Sequence, residues 1–254
     1  MIRLIAAERL KYRRSFARRL ALGAPLFFAL YGAVVRFLLP EDGTNGVREV
    51  LLAMIFNWWT VLFVPFGVAL LGVLAENRER KAGRYRGLLA NPVHPAKLWL
   101  SRIVVLGYYQ FMASVVLIAV AIAAAGLIPA GGGIPLAAIT EAGLLAWLSS
   151  FGLAPVHLYA AFRFGTLPAL ALGTAGMIAG VVAAPEPYWI AVPWSWPIRL
   201  MAPVIGVHPN GVMLPLDDPL RDAAAIPAGI LASMLFLVLT SALTAALFAR
   251  REVR

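Results

Sequence analysis

Few side chains in this sequence are equipped for chemistry, and they lie far apart. The three histidines are His94, His157 and His208. The order of apolar segments puts them in a loop, a span and a loop on the other side. They cannot converge on a metal ion, whose ligands must meet at about 2 Å from one centre. Ser149 and Ser150 precede His157 on one apolar stretch by about two helical turns, beyond the hydrogen-bond reach of a Ser–His nucleophile. A polar group facing a helix-bundle interior is the plainer reading of His157. Glu141, Asp217 and Asp218 sit at or outside span ends, where charge serves topology and solubility. Cysteine is absent, which removes thiol nucleophiles, disulfides and Cys-based metal sites. Neither G-x-x-x-x-G-K-[ST] nor G-x-G-x-x-G occurs, so the chain has no recognisable nucleotide-binding loop. The sequence therefore offers no catalytic group, no metal site and no cofactor of its own. Any energy for moving a substrate has to come from another polypeptide.

Two other groups of residues stand out. Asn57-Trp58-Trp59 opens an apolar segment that also holds Pro65 and Gly67. An amide at membrane depth must find a partner, because an unpaired one in hydrocarbon costs several kcal/mol. Pro65 is expected to kink the segment. The paired tryptophans suit either an interfacial aromatic belt or the lining of a path for amphiphilic cargo. Residues 185–223 contain eight prolines together with Trp189, Trp194 and Trp196. This stretch is too apolar for a free aqueous loop and is expected to dip into the membrane interface.

The stretch 76–99 has a different character. Arg78, Arg80, Lys81, Arg84, Arg86 and Lys97 face only Glu76 and Glu79. A basic loop of this kind is commonly a topology signal and can touch anionic headgroups. However, Gly87-Leu88-Leu89-Ala90 followed by Pro92 and Pro95 forms an apolar, punctuated motif that a topology signal does not need. A docking piece that presents Leu88 and Leu89 to a partner's groove fits equally well.

The elements that position these residues follow from hydropathy. The chain has 254 residues, 61% hydrophobic and 13% charged, with mean hydropathy +0.83. Soluble domains average about 45–50% apolar and 25% charged. A polytopic all-α membrane protein is expected, read as a single transmembrane domain over 1–254. A span needs about 20 mainly apolar residues. Six segments qualify, at about 21–39, 51–75, 103–128, 142–162, 166–184 and 224–249. With the N-terminus inside, 18 of the 22 basic residues fall on the cytoplasmic side, and eight of the 12 acidic residues fall outside. That asymmetry puts both termini in the cytoplasm. It also explains the net charge of +10 without nucleic acid. Residues 1–20 place Ile2, Ile5, Tyr12, Phe16 and Leu20 on one helical side, with Arg9 and Arg19 intruding. They are read either as an interfacial helix on the inner leaflet or as a basic topology signal without fixed fold. Arginine outnumbers lysine heavily, a bias of high-GC bacterial genomes.

Across essentially the whole chain these features resemble the ABC-2 type exporter permeases. Glu76, Glu79, Gly83, Leu88-Leu89, Pro92, Pro95 and Lys97 look like that family's first cytoplasmic loop. Within the family, Asn57-Trp58-Trp59…Pro65 and Pro193-Trp194 resemble the lantibiotic-immunity permeases. The resemblance implies six transmembrane helices, an N-terminal interfacial helix and a cytoplasmic coupling helix. It implies a bacterial cytoplasmic membrane. It also implies a second permease subunit, the same or paralogous, and two copies of a separate ABC ATPase that holds ATP and Mg2+. Glu76, Arg78, Glu79, Arg84, Leu88, Leu89, Pro92 and Lys97 would couple to that ATPase. Asn57, Trp58, Trp59, Pro65, Trp189, Trp194 and Trp196 would meet an amphiphilic peptide, which the complex removes from the membrane. An ABC-2 permease for another cargo, such as a drug-like molecule or a lipid-linked glycan, is the alternative.

Overall fold

In hydrocarbon every backbone N–H and C=O needs an internal partner, so a chain this apolar must be helical. The computed structural model describes residues 1–38, 46–83, 93–128 and 133–250, without the side chains of 35–38. Its helices are α1 (Ile2–Leu10), α2 (Phe16–Leu38), α3 (Val47–Trp58), α4 (Val68–Lys81), α5 (Pro95–Gly126) and α6 (Leu136–Ser150). They continue as α7 (Leu153–Phe164), α8 (Thr166–Ala183), α9 (Trp196–Arg199), α10 (Met201–Ile205) and α11 (Ala225–Ala249). A π-helical stretch, Trp59–Gly67, joins α3 to α4. The β-pairing among the described residues is an isolated antiparallel bridge between Val207 and Met213.

Four helices among the described residues are long and apolar enough to cross a membrane: Val47–Lys81, Pro95–Gly126, Thr166–Ala183 and Ala225–Ala249. The pair α6–α7, bent by 42°, makes a fifth if it is one span. The bend falls at Gly152, where a Cβ would come within 2.8 Å of the Phe236 ring, so the missing side chain lets α11 approach. Helix α2 covers the expected first span but is not one of those four. The count among the described residues is therefore four or five.

The second span departs from its expected limits. The rod Val47–Lys81 is 35 residues long and runs past residue 75 into the charged sequence. It stops where Gly83 takes φ 89°, a left-handed conformation that glycine adopts at little cost and that closes a helix C-terminus. Inside the rod, Pro65 lacks an N–H donor and its ring crowds the preceding turn. The surrounding residues take the wider π pitch instead of a sharp kink. The Thr60 hydroxyl donates to the carbonyls of Phe56 (2.9 Å) and Asn57 (3.2 Å) at the start of this stretch.

The expected N-terminal helix over 1–20 is broken in two. Helix α1 ends at Leu10 and α2 starts at Phe16. The Ser15 hydroxyl accepts from the Arg18 N–H, which caps α2 and fixes the elbow. Helix α2 lies along α3 and α5, α4 along α7, and α8 along α4 and the π stretch, while α11 closes the bundle against α5, α6 and α7. Trp99 near the start of α5 is fully buried. It stacks on Phe248 at 4.7 Å and donates to the Thr244 hydroxyl at 3.0 Å, which fastens the end of α11.

Between α8 and α11 the chain is a chain of short turns. Prolines stand in the first turn of the short helices at 193–195, 196–199 and 219–221, where a missing N–H costs nothing. Trp196, Ile198, Leu200, Met201 and Val207 are buried, so this segment is folded onto the bundle.

Candidate functional site

One end of the bundle gathers α1, the end of α4, the starts of α5 and α8, and the ends of α7 and α11; it is called the basic end here. Glu8 on α1 and Glu76 and Glu79 on α4 are all buried there. Lys11 Nζ lies 2.8 Å from both Glu8 and Glu79. Arg78 Nη2 donates to Glu8 at 2.8 Å, and Arg78 Nε is 3.7 Å from Glu79. The Arg78 guanidinium also lies over the Tyr12 ring at 4.1 Å. Tyr12 in turn stacks on Tyr109 of α5 at 4.7 Å. Burial, partly opposed by the Arg78 charge, pushes the Tyr12 hydroxyl up to about 12.

A second ion pair sits beside this one. Arg102 on α5 donates to Glu76 at 3.1 Å, with side-chain exposures of 0% and 2%. Arg80 is 3.5 Å from the other Glu76 oxygen and donates to the carbonyls of Ala161 (2.7 Å) and Phe162 (3.3 Å). That places a cation on the C-terminal carbonyls of α7, where the helix dipole favours it. Asn77 donates to Thr166 at 3.2 Å at the start of α8. One turn of α4 therefore ties α1, α5, α7 and α8 together.

Of the coupling residues expected from the sequence, Glu76, Arg78 and Glu79 belong to this knot and engage groups within the chain. Lys97 is exposed in the first turn of α5. Arg84, Leu88, Leu89 and Pro92 lie outside the described residues. At the residues expected to begin the loop, the chain is still helical, and α4 continues to Lys81.

The opposite, far end carries residues 184–224 and the start of α3. There Arg48 donates from Nε to Ala125 O (3.1 Å), from Nη2 to Ile128 O (3.2 Å) and from Nη1 to Gly133 O (3.1 Å). It caps the C-terminal end of α5. Asn57 is buried. A Cβ on Gly211, in the turn after α10, would lie 3.4 Å from its Nδ2. Trp59 is buried against α2, stacked on Phe63 (4.2 Å) and edge-on to Phe28 (5.7 Å). Trp58 packs edge-on to Tyr31 at 5.5 Å. Pro65 is buried inside the π stretch.

The other three expected tryptophans sit elsewhere. Trp194 enters the bundle against α8. A Cβ on Gly176 would overlap its indole, and one on Gly180 would come within 2.7 Å of its carbonyl oxygen. Gly176 lies seven residues before Ala183, the end of α8, which is about 10 Å down the helix. At that depth the Trp194 indole N–H donates to His157 Nε2 at 3.3 Å. Trp196 donates to Ile190 O at 3.0 Å and packs edge-on to Phe236. The Arg199 guanidinium lies 5.6 Å from the Trp189 ring. Among the described residues no ring contact joins the Trp58–Trp59 pair to these three.

The histidines have structural partners. His94 Nδ1 accepts from the Ala96 N–H and caps α5, His157 accepts from Trp194, and His208 Nδ1 accepts from the Asn210 N–H. The Ser149 and Ser150 hydroxyls donate to carbonyls of their own helix. Among the described residues no group of three His, Asp or Glu side chains could hold a metal ion. Sequence reasoning missed Glu8 and Lys11 as partners of α4, although Glu8 is the one acid in the first 40 residues. It also missed Gln110. That residue is buried midway along α5, and both of its amide atoms lack a hydrogen-bond partner among the described residues.

The geometry describes a helical bundle with a cross-braced basic end and an aromatic, apolar far end. No curated protein and no solved structure matches the chain. The family model for the ABC-2 family transporter protein matches residues 4–180, more than two thirds of the sequence, and the chain belongs to that family.

Proposed function

We propose that this chain is the permease subunit of an ABC exporter that removes an amphiphilic, lantibiotic-like antimicrobial peptide from the membrane. ABC-2 permeases work with an ATPase subunit. In this reading two copies of that subunit bind ATP and Mg2+, and a second permease, identical or paralogous, completes the complex. The chain spans a bacterial cytoplasmic membrane six times with both termini in the cytoplasm, so the basic end faces the ATPase and the far end faces outward.

The observation that carries the cargo reading is Trp194 set about 10 Å into the bundle, beside a π-helical second span that bears Asn57, Trp58 and Trp59. An amphiphilic peptide offers apolar and amide groups together, and this far end presents both aromatic rings and buried polar groups. π-Helical stretches mark functional positions often enough to favour movement there. At the basic end, the knot around Arg78 ties α4 rigidly to α1 and α5. The sequence after Gly83, with Leu88, Leu89 and Pro92, is then led out of a braced helix. A push on that loop reaches the second span without being absorbed by slack.

The test is peptide susceptibility. Cells that lose this permease should become more sensitive to the peptide, and Trp58→Ala/Trp59→Ala should fail to restore resistance at equal membrane levels. Unchanged sensitivity on loss, with ATPase binding intact, would keep the ABC permease and assign it another cargo, such as a drug-like molecule or a lipid-linked glycan.

A further inference from the structure

The elbow between α1 and α2 leaves an open cleft of about 550 Å³ against α5, lined by Arg9, Arg13, Arg18, Tyr108, Leu22 and Met112 among others. Three arginines from three positions of the chain meet there: the end of α1, the elbow and the first turn of α2. Each is exposed, and none has a carboxylate within ion-pair distance among the described residues. The nearest acid in sequence, Glu8, is turned to the opposite side of α1 and is held by Lys11 and Arg78. The side chains are oriented nonetheless. Arg9 lies over the Tyr108 ring at 4.9 Å, and Arg18 Nη1 donates to the Arg13 carbonyl at 3.1 Å. Arg18 also stands in the first turn of α2, where the helix dipole disfavours a cation. The result is a fixed concentration of positive charge without a carboxylate counterion among the described residues.

Beside that charge the cleft becomes apolar. Leu22, one turn further along α2, and Met112 on α5 form its wall. Ile2, Leu10 and Phe16 project outward on either side of the elbow, at 83%, 67% and 60% exposure. Apolar side chains exposed on an otherwise cationic helix suit the headgroup boundary of a bilayer.

We propose that this cleft binds one anionic phospholipid, with its phosphate on Arg9, Arg13 and Arg18 and the start of an acyl chain along Leu22 and Met112. Arginine forks pair with phosphate in bidentate geometry, and the apolar wall requires more than a free anion. The site shares no residue with the proposed peptide path or with the expected coupling residues. Its occupant would brace the α1–α2 elbow from the side opposite the Glu8–Lys11–Arg78–Glu79 knot.

The experiment uses the full-length chain in nanodiscs of phosphatidylcholine, titrated with phosphatidylglycerol. Bound lipid is counted by native mass spectrometry after gentle release. Each guanidinium near an anionic lipid surface is worth roughly a fivefold change in binding. The triple variant Arg9→Gln/Arg13→Gln/Arg18→Gln should therefore weaken phosphatidylglycerol binding on the order of a hundredfold. The charge-matched variant Arg3→Gln/Arg14→Gln/Arg19→Gln, which leaves the cleft intact, should weaken it by about tenfold less than the cleft variant does. If the triple variant is not monodisperse, the single changes should each lose about fivefold, and Arg→Lys at the same positions should recover only part of the binding, because the ammonium keeps the charge without the fork. Equal loss in the two triple variants would reduce the site to diffuse attraction and overturn the proposal. So would equal binding of phosphatidylcholine, or displacement of the lipid by millimolar inorganic phosphate alone.

Discussion

Replacing Arg78 with Met should release the N-terminal helix. Arg78 is the group that connects Glu8 on α1, Glu79 on α4 and the Tyr12 ring, at 2.8, 3.7 and 4.1 Å. Its removal leaves two buried carboxylates with the single ammonium of Lys11. Breaking a buried ion pair by deleting one partner costs about 3–5 kcal/mol. Arg78 and Lys11 retain 23% and 28% side-chain exposure, so solvent screens part of the loss and about 2–3 kcal/mol is expected. Helix α1 has nine residues, too few to be stable alone, since isolated helices need about 12–15. Its helicity therefore depends on this docking. Amide hydrogen exchange across Ile2–Leu10 should accelerate about 30- to 150-fold in Arg78→Met. Adding Glu8→Gln removes the surplus charge and should recover about 1–2 kcal/mol. The reasoning fails if Arg78→Met leaves α1 exchange within twofold of the parent, or if Glu8→Gln deepens the loss.

Further outcomes follow from other parts of the molecule. The Tyr12 hydroxyl ionises near pH 10 when unfolded and near 12 when folded, because burial favours the neutral form. Its contribution, on the order of 2–3 kcal/mol, is complete below pH 10 and should be lost between pH 10 and about 12. Phenolate absorbance should track the release of α1, and Tyr12→Phe should abolish that step. At Gly176 a larger side chain collides with the Trp194 indole. Gly176→Leu should cost about 1–3 kcal/mol and make Trp194 fluorescence, isolated by difference from Trp194→Phe, more accessible to aqueous quencher. At Gln110 both amide atoms are buried without partners among the described residues, so Gln110→Leu should stabilise the bundle by about 1–2 kcal/mol. A lower melting temperature in that variant would mean that the amide is satisfied in the membrane.

Much of this fold is legible in the sequence because a membrane imposes one strong rule. Long apolar runs become helices, and five of the six expected segments lie on the spans or on the bent pair. What hydropathy misses is where a helix stops. The charged sequence after Ala75 reads as a loop, yet it continues α4 because Arg78, Glu79 and Arg80 find partners 68 or more residues away at α1 and α7, and Glu76 finds Arg102 on α5, 26 residues away. Single-segment periodicity carries no trace of such partners. The break at Lys11–Ser15 is signalled by Ser15, a good helix N-cap, but the exposed arginines around it hide the change of helix. Pro65 announces a distortion, though not its spread over Trp59–Gly67. The far-end tryptophans are recognisable as a group by type. Trp194 takes its depth from Gly176 and Gly180, whose lack of side chains matters only once α8 and the Pro-rich segment are in contact.

The central claim is that this permease is driven by a separate ATPase and acts on an amphiphilic peptide. Its most direct test is ATP hydrolysis by the full-length chain co-expressed and co-purified with a candidate ABC ATPase, with and without candidate peptide. A stable complex is expected, with hydrolysis that rises on peptide addition and loses that response in Leu88→Asp/Leu89→Asp. A failure to form any complex, or a peptide response untouched by those two changes, would contradict it.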